Sequence, residues 1–151
     1  MSVKPFLALA AAFMVVTAVP AVAAPAKTAA DFDLIEASYG GQLPRVNLLL
    51  AKGASVDAQD QNGYTALHWA AQAGWPLTSR ALLAKGAKVD ARDNMGRTPL
   101  LLATVRRQVE VARTLLVAGA DPNLTDKEGN SALAYARRKR MSQMVALFMS
   151  G

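Results

Sequence analysis

The sequence predicts an all-α protein in which helix–turn–helix units stack side by side as a repeat solenoid. Two observations carry that prediction. The stretch Asp60 to Gly74, DQNGYTALHWAAQAG, returns twice, as DNMGRTPLLLATVRR and DKEGNSALAYARRKR. Gly63, Gly96 and Gly129 therefore stand 33 residues apart, as do Thr65, Thr98 and Ser131, then Leu67, Leu100 and Leu133, then Ala70, Ala103 and Ala136. A second anchor keeps the same offset: Leu49-Leu50, Leu82-Leu83 and Leu115-Leu116 each lead to Gly-Ala at 53, 86 and 119. A fixed period of this kind marks a unit too small to bury its own apolar face, which stacking on its neighbours buries instead.

The amino terminus is of another kind. Met1 to Ala24 reads as a targeting segment, with Lys4 near its start, an uncharged apolar run from Pro5 to Val19 and small residues after it. Ala21 and Ala23 fit an A-x-A cleavage site, so residues 1–23 are expected to be a cleavable signal peptide. An uncleaved anchor is the alternative, since a span needs about 20 apolar residues and the run nearly reaches that length. Pro20, Pro25 and the alanine-rich cleavage region favour removal, which implies a periplasmic or secreted protein with no stable membrane insertion after cleavage. Such compartments permit disulfides, yet the chain has no cysteine. That excludes disulfide staples, thiolate metal sites and cysteine nucleophiles, so stability must rest on packed apolar surface. Losing Lys4 lowers the formal charge from +6 to +5; a basic balance favours anionic partners and says nothing about fold. The length suits one domain.

Residues 24–30 are small and weakly patterned, and are expected to form a flexible leader. Asp31 or Asp33 can cap a first helix with Leu34, Ile35 and Ala37 on its apolar side, ended by Gly40-Gly41. A second helix, from about Leu43 to Lys52, accepts Pro44 in its first turn and buries Val46, Leu49 and Leu50. Asp60 to Gly63 has the composition of a tight turn, repeated at Asp93 to Gly96 and Asp126 to Gly129. Thr65, Thr98 and Ser131 follow as helix caps, and Pro99 takes a favoured first helical position. Met144, Val145, Leu147 and Phe148 give the last helix an apolar face. The units are 31–59, 60–92, 93–125 and 126–151, the outer two being capping repeats.

The segments D-x-x-G-Y-T-A-L-H-W-A-A and D-x-x-G-R-T-P-L resemble ankyrin repeats, and the resemblance runs from Asp31 to the C-terminus. It implies a curved solenoid with β-turn fingers along one side, and recognition of another protein by concave helices and turn tips. The chain departs from the pattern in places. Asp31-Phe32-Asp33 stand where the first unit should have its turn, and Pro76, Thr78 and Ser79 soften the core of the second. Leu101 replaces the usual histidine. Arg107 and Arg140 replace the inter-helix glycine, where a left-handed residue with a side chain costs about 1 kcal/mol.

Little here suggests chemistry. His68 is the only histidine; the resemblance implies hydrogen bonding between turns, and no metal-ligand partner stands four residues away. The paired aspartates at the turns read as turn formers, because a calcium loop needs more oxygen ligands at alternate positions. No catalytic residue, metal or cofactor is expected, and the chain is read as not being an enzyme. The recognition face is better defined. Glu36, Trp69, Leu102 and Tyr135 form one ladder across the repeats, with Tyr39, Gln72, Val105 and Arg138 one helical turn further on. Joined to the turn tips, this gives a partner-binding set of Tyr39, Gln61, Asn62, Tyr64, Trp69, Gln72, Met95, Arg97, Leu102, Arg106, Tyr135 and Arg138. Trp75 reads as a packing residue. Arg106-Arg107 and the run from Arg137 to Arg140 form either a solvated capping face or a landing site for an acidic partner. The expectation is an exported, monomeric, non-catalytic scaffold that binds a protein in the cell envelope, with no nucleic acid. An inhibitor or immunity-type protein and a membrane-surface protein are the alternatives.

Overall fold

The computed structural model describes residues 27–150. The expected signal peptide and cleavage site, and residues 24–26 of the expected leader, lie outside them. Within that range eight α-helices follow one another: α1 Ala29–Tyr39, α2 Leu43–Ala51, α3 Ala66–Ala73, α4 Pro76–Ala84, α5 Pro99–Val105, α6 Val109–Val117, α7 Ala132–Arg138 and α8 Ser142–Met149. The described residues contain no strand.

The helices form two layers. α1 packs on α3, α3 on α5 and α5 on α7, while α2, α4, α6 and α8 line up behind them, each against the first helix of its own pair. Small residues make this close approach possible. Ala37, Ala70, Ala103 and Ala136 hold one repeated position and are wholly buried. Between the layers run Leu34, Leu67 and Leu100 from the first helices, and Leu49, Leu82, Leu115 and Phe148 from the second. No helix among the described residues is long and apolar enough to cross a membrane.

Helix starts follow hydroxyl chemistry. The side chains of Thr65, Thr98 and Ser131 accept hydrogen bonds from the backbone N–H groups of His68, Leu101 and Ala134, as expected. At α1 the cap is Thr28, not Asp31 or Asp33. Thr28 Oγ1 accepts from Asp31 N–H, and the Asp31 carboxylate accepts from Thr28 N–H at 2.7 Å, closing a capping box. Asp31 also accepts from the Ser55 backbone at 2.7 Å, and the bond from the Thr28 backbone leads in holding its carboxyl below the usual value. Residues 28–30, expected in a flexible leader, thus belong to the first helix and its cap.

Every first helix ends in the same way. The N–H groups of Gln42, Trp75, Gln108 and Met141 return to the carbonyls of Ala37, Ala70, Ala103 and Ala136 at 2.8 to 3.0 Å, across a left-handed residue, as in a Schellman motif. Gly41 and Gly74 fill that position in the first two units. A Cβ on Gly41 would lie 2.5 Å from the Trp75 ring. In the last two units the position falls to Arg107, with φ 59°, and Arg140, with φ 54°.

Candidate recognition surface

Each finger is closed by one aspartate. Asp60 Oδ1 accepts from the N–H groups of Asn62 and Tyr64 at 2.8 and 3.0 Å; Asp93 serves Met95 and Arg97, and Asp126 serves Glu128 and Asn130, in the same manner. The turn acids thus hold local backbone, and the described residues contain no group of three or more His, Cys, Asp or Glu placed to hold a metal. Neighbouring fingers are stitched together. Asn94 N–H donates to the Asn62 carbonyl at 3.0 Å and Lys127 N–H to that of Met95 at 2.9 Å. Gln59 reaches the Arg92 carbonyl, and the Arg92 guanidinium reaches that of Thr125 at 2.7 Å. The turn tips are therefore held relative to one another before any partner arrives.

His68 is one of these stitches. Its Nδ1 accepts from Thr65 N–H at 3.1 Å and lies 2.9 Å from Thr65 Oγ1, which leaves Nε2 to carry the proton and donate to the Arg97 carbonyl at 3.0 Å. Complete burial lowers its pKa, and a second proton on Nδ1 would face the Thr65 N–H. Both nitrogens are committed within the protein, so the ring is not placed as a general base.

Beside it lies an aromatic series. Tyr64 stacks on His68 with centroids 5.5 Å apart, Trp69 meets Tyr64 edge-on at 4.8 Å, and Tyr39 meets Trp69 edge-on at 5.3 Å. Trp69 Nε1 donates to Asp60 Oδ2 at 2.9 Å. Tyr64 was expected to point outward but is only 8% exposed. The next finger covers it: Arg97 donates to its hydroxyl at 2.7 Å, sits over its ring, and is itself held by Asp93 at 2.8 Å. Burial raises the Tyr64 pKa. Leu102 is likewise buried, at 5% exposure. Its helix lies between α3 and α7, and a leucine is too short to reach past them where Trp69 does.

The other expected residues divide by exposure. Tyr39, Gln61, Asn62, Met95, Arg106 and Arg138 are exposed, whereas Trp69, Gln72, Arg97 and Tyr135 are half-buried. Tyr135 lies beneath the Arg138 guanidinium, 5.4 Å from its ring centre. Two depressions open on this face. One, of about 330 Å³, is lined by Phe32, Ile35, Glu36, Tyr39, Asp60 and Trp69. The other, of about 530 Å³, is lined by Tyr39, Gln72, Ala73, Trp75, Arg106 and Gln108. Tyr39 is common to both. Trp75 packs over Gly41 and donates to the Tyr39 carbonyl at 2.9 Å, so a packing residue also forms a wall of the surface. Phe32 lines the first depression and stands outside the expected set, although its spacing with Glu36 and Tyr39 places all three on one helix face.

Arg106, Arg107 and the run Arg137 to Arg140 are all exposed, and none has a carboxylate within 4.0 Å among the described residues. They occupy the inter-helix ends of the last two repeats. The corresponding residues of the first two, Gly40, Gly41, Ala73 and Gly74, carry no charge.

Comparison with curated proteins gives no match. The family model described as ankyrin repeats, in three copies, matches residues 34–126. α7 and α8 continue the same skeleton past the end of that match, with Ser131 capping α7 and Ala136 buried as in the units before it. The match spans more than half of the 151 residues, and eight helices stack in the order its repeats require, so the chain belongs to the ankyrin-repeat family.

Proposed function

We propose that the protein is an exported, non-catalytic scaffold that binds another protein in the cell envelope through the face carrying Tyr39, Trp69 and Met95. Ankyrin repeats generally mediate protein–protein interaction, and proteins built from them are typically non-catalytic. The observation that carries the choice of face is Tyr39: an aromatic 57% exposed, standing between two depressions on a stitched row of helices. Exposed aromatics on preorganised surfaces are where interfaces concentrate their energy. Export rests on the apolar run and the A-x-A pattern of the amino terminus.

The test expresses the full chain with a C-terminal tag. Mass measurement of the envelope fraction should find a chain that starts at Ala24. Proteins captured by the wild type should be lost from a Tyr39→Ala, Met95→Ala double variant whose circular dichroism is unchanged, both residues being exposed. An unchanged set of captured proteins would refute the assigned face.

A further inference from the structure

The recognition face is chemically polarised along the stack. At its α1 and α3 end stand Phe32, Tyr39 and Trp69 around an apolar depression bordered by the carboxylates of Glu36 and Asp60. Toward α5 and α7 it turns cationic, beginning with Arg106, which shares a depression with Tyr39. Beyond that face, at the starts of α6 and α8, Arg107 and Arg140 line a separate depression of about 310 Å³.

The backbone supplies an independent sign that this charge is retained for a purpose. Arg107 and Arg140 hold left-handed positions that Gly41 and Gly74 occupy elsewhere in the same chain. A side chain there is strained, and such strain persists at functional positions more than elsewhere. The neutral equivalents in the first two repeats show that the fold itself does not need a cation at this place.

We infer that the partner presents a bipartite protein segment, an apolar or aromatic anchor followed at a fixed distance by an acidic run. This rests on the protein-binding reading above and specifies its partner. The anchor enters the Phe32–Tyr39–Trp69 depression, where the Asp60 carboxylate disfavours acidic residues and Glu36 is paired with Arg45 at 3.7 Å. The acids meet Arg106, Arg107 and the Arg137 to Arg140 run. Packed helices lie about 8–10 Å apart, so two helix spacings separate the ends by about 16–20 Å, which an extended chain at ~3.3 Å per residue covers in about five or six residues.

The experiment titrates the purified chain with synthetic peptides, followed by calorimetry and tryptophan fluorescence. One peptide carries a Leu-Phe anchor, a Gly-Ser spacer of about five residues and about four glutamates; its mirror order is made as well, since chain direction is free. Controls replace Glu by Gln, or scatter the glutamates through the spacer. Vesicles of phosphatidylglycerol in phosphatidylcholine form a separate arm. Tighter binding of the bipartite peptide in one order supports the inference, provided that added salt weakens it. Tyr39→Ala should then weaken it about tenfold, and each of Arg107→Gly and Arg140→Gly about two- to fivefold. Both glycine variants should also melt higher than the parent, so weaker binding cannot be put down to unfolding. Equal binding of the Gln peptide, with Tyr39→Ala still harmful, overturns the bipartite inference and leaves the protein-binding face standing. Binding to anionic vesicles but to none of the peptides overturns it in favour of a membrane surface, and failure of every probe overturns it as well.

Discussion

Ser79 is wholly buried and its hydroxyl has no hydrogen-bond partner among the described residues; the same is true of Ser38. The positions equivalent to Ser79 in the other repeats are Val46, Ala112 and Val145, all apolar. Thr104, in the place that corresponds to Ser38, meets the same demand by donating to the Leu100 carbonyl at 2.7 Å. An unsatisfied buried hydroxyl costs about 1–3 kcal/mol, so Ser79→Ala should stabilise the protein by about 1 kcal/mol, read as a higher urea midpoint at unchanged slope. His68 gives a prediction with a sign. Burial holds its native pKa below the ordinary imidazole value of 6.5, so as pH falls below about 6.5 the unfolded chain takes up a proton that the native chain refuses. Stability is complete above that pH and declines beneath it. Asp31, whose pKa is lowered from 3.8, contributes stability that is lost only in stronger acid, below that value. Urea midpoints at about pH 7.5 and about pH 5.5 should therefore differ, and His68→Gln, although less stable, should show a smaller difference.

At the scale of the element, the four inter-helix ends make a natural experiment in one chain. One backbone motif is built with Gly41, Gly74, Arg107 and Arg140. Arg107→Gly and Arg140→Gly should each raise stability by about 1 kcal/mol by relieving the left-handed strain. Gly41→Ala should lower it by about 2 kcal/mol, because the same strain is imposed while the new methyl meets the Trp75 ring. Thermal melts of the three variants would check both directions, and an arginine variant that melts lower than the parent would count against the strain. The left-handed arginines were legible in the sequence because the 33-residue register aligns them with glycine. The start of α1 was not. Thr28 sits among alanines and prolines, and Asp31 is as good a cap as it is a third-position partner, so the residues alone do not decide between the two. Tyr64 and Leu102 were misjudged for a different reason. Helical and turn spacing says which way a side chain leaves its own unit, whereas its burial depends on what the next unit brings, here Arg97 over Tyr64 and α7 beside α5.

The described stack is a line of mainly nearest-neighbour contacts, α1 packing on α3, α3 on α5 and α5 on α7, with the second helices following in the same order. Stability in such a line is approximately a sum of units and interfaces, and the ends decide how readily it unravels. The carboxy-terminal end is closed by α8, which inserts Met144 and Phe148, 2% and 7% exposed, against α6 and α7. Phe148→Ala should cost about 3 kcal/mol through the lost transfer energy and the cavity. Removal of residues 141–151 should cost more, because it takes a whole interface and leaves the short α7 with only α5 to hold it. The apolar face of α6 around Leu115 and Leu116 would then meet water. Opening should begin at that end. Amide exchange in the truncated chain should accelerate in α7 first and α5–α6 next, with α1 to α4 affected least, and the exposed leucines should promote self-association. If the truncated chain unfolds at the urea midpoint of the full one, with uniform protection along the stack, α8 is not the cap and the order of interfaces proposed here fails.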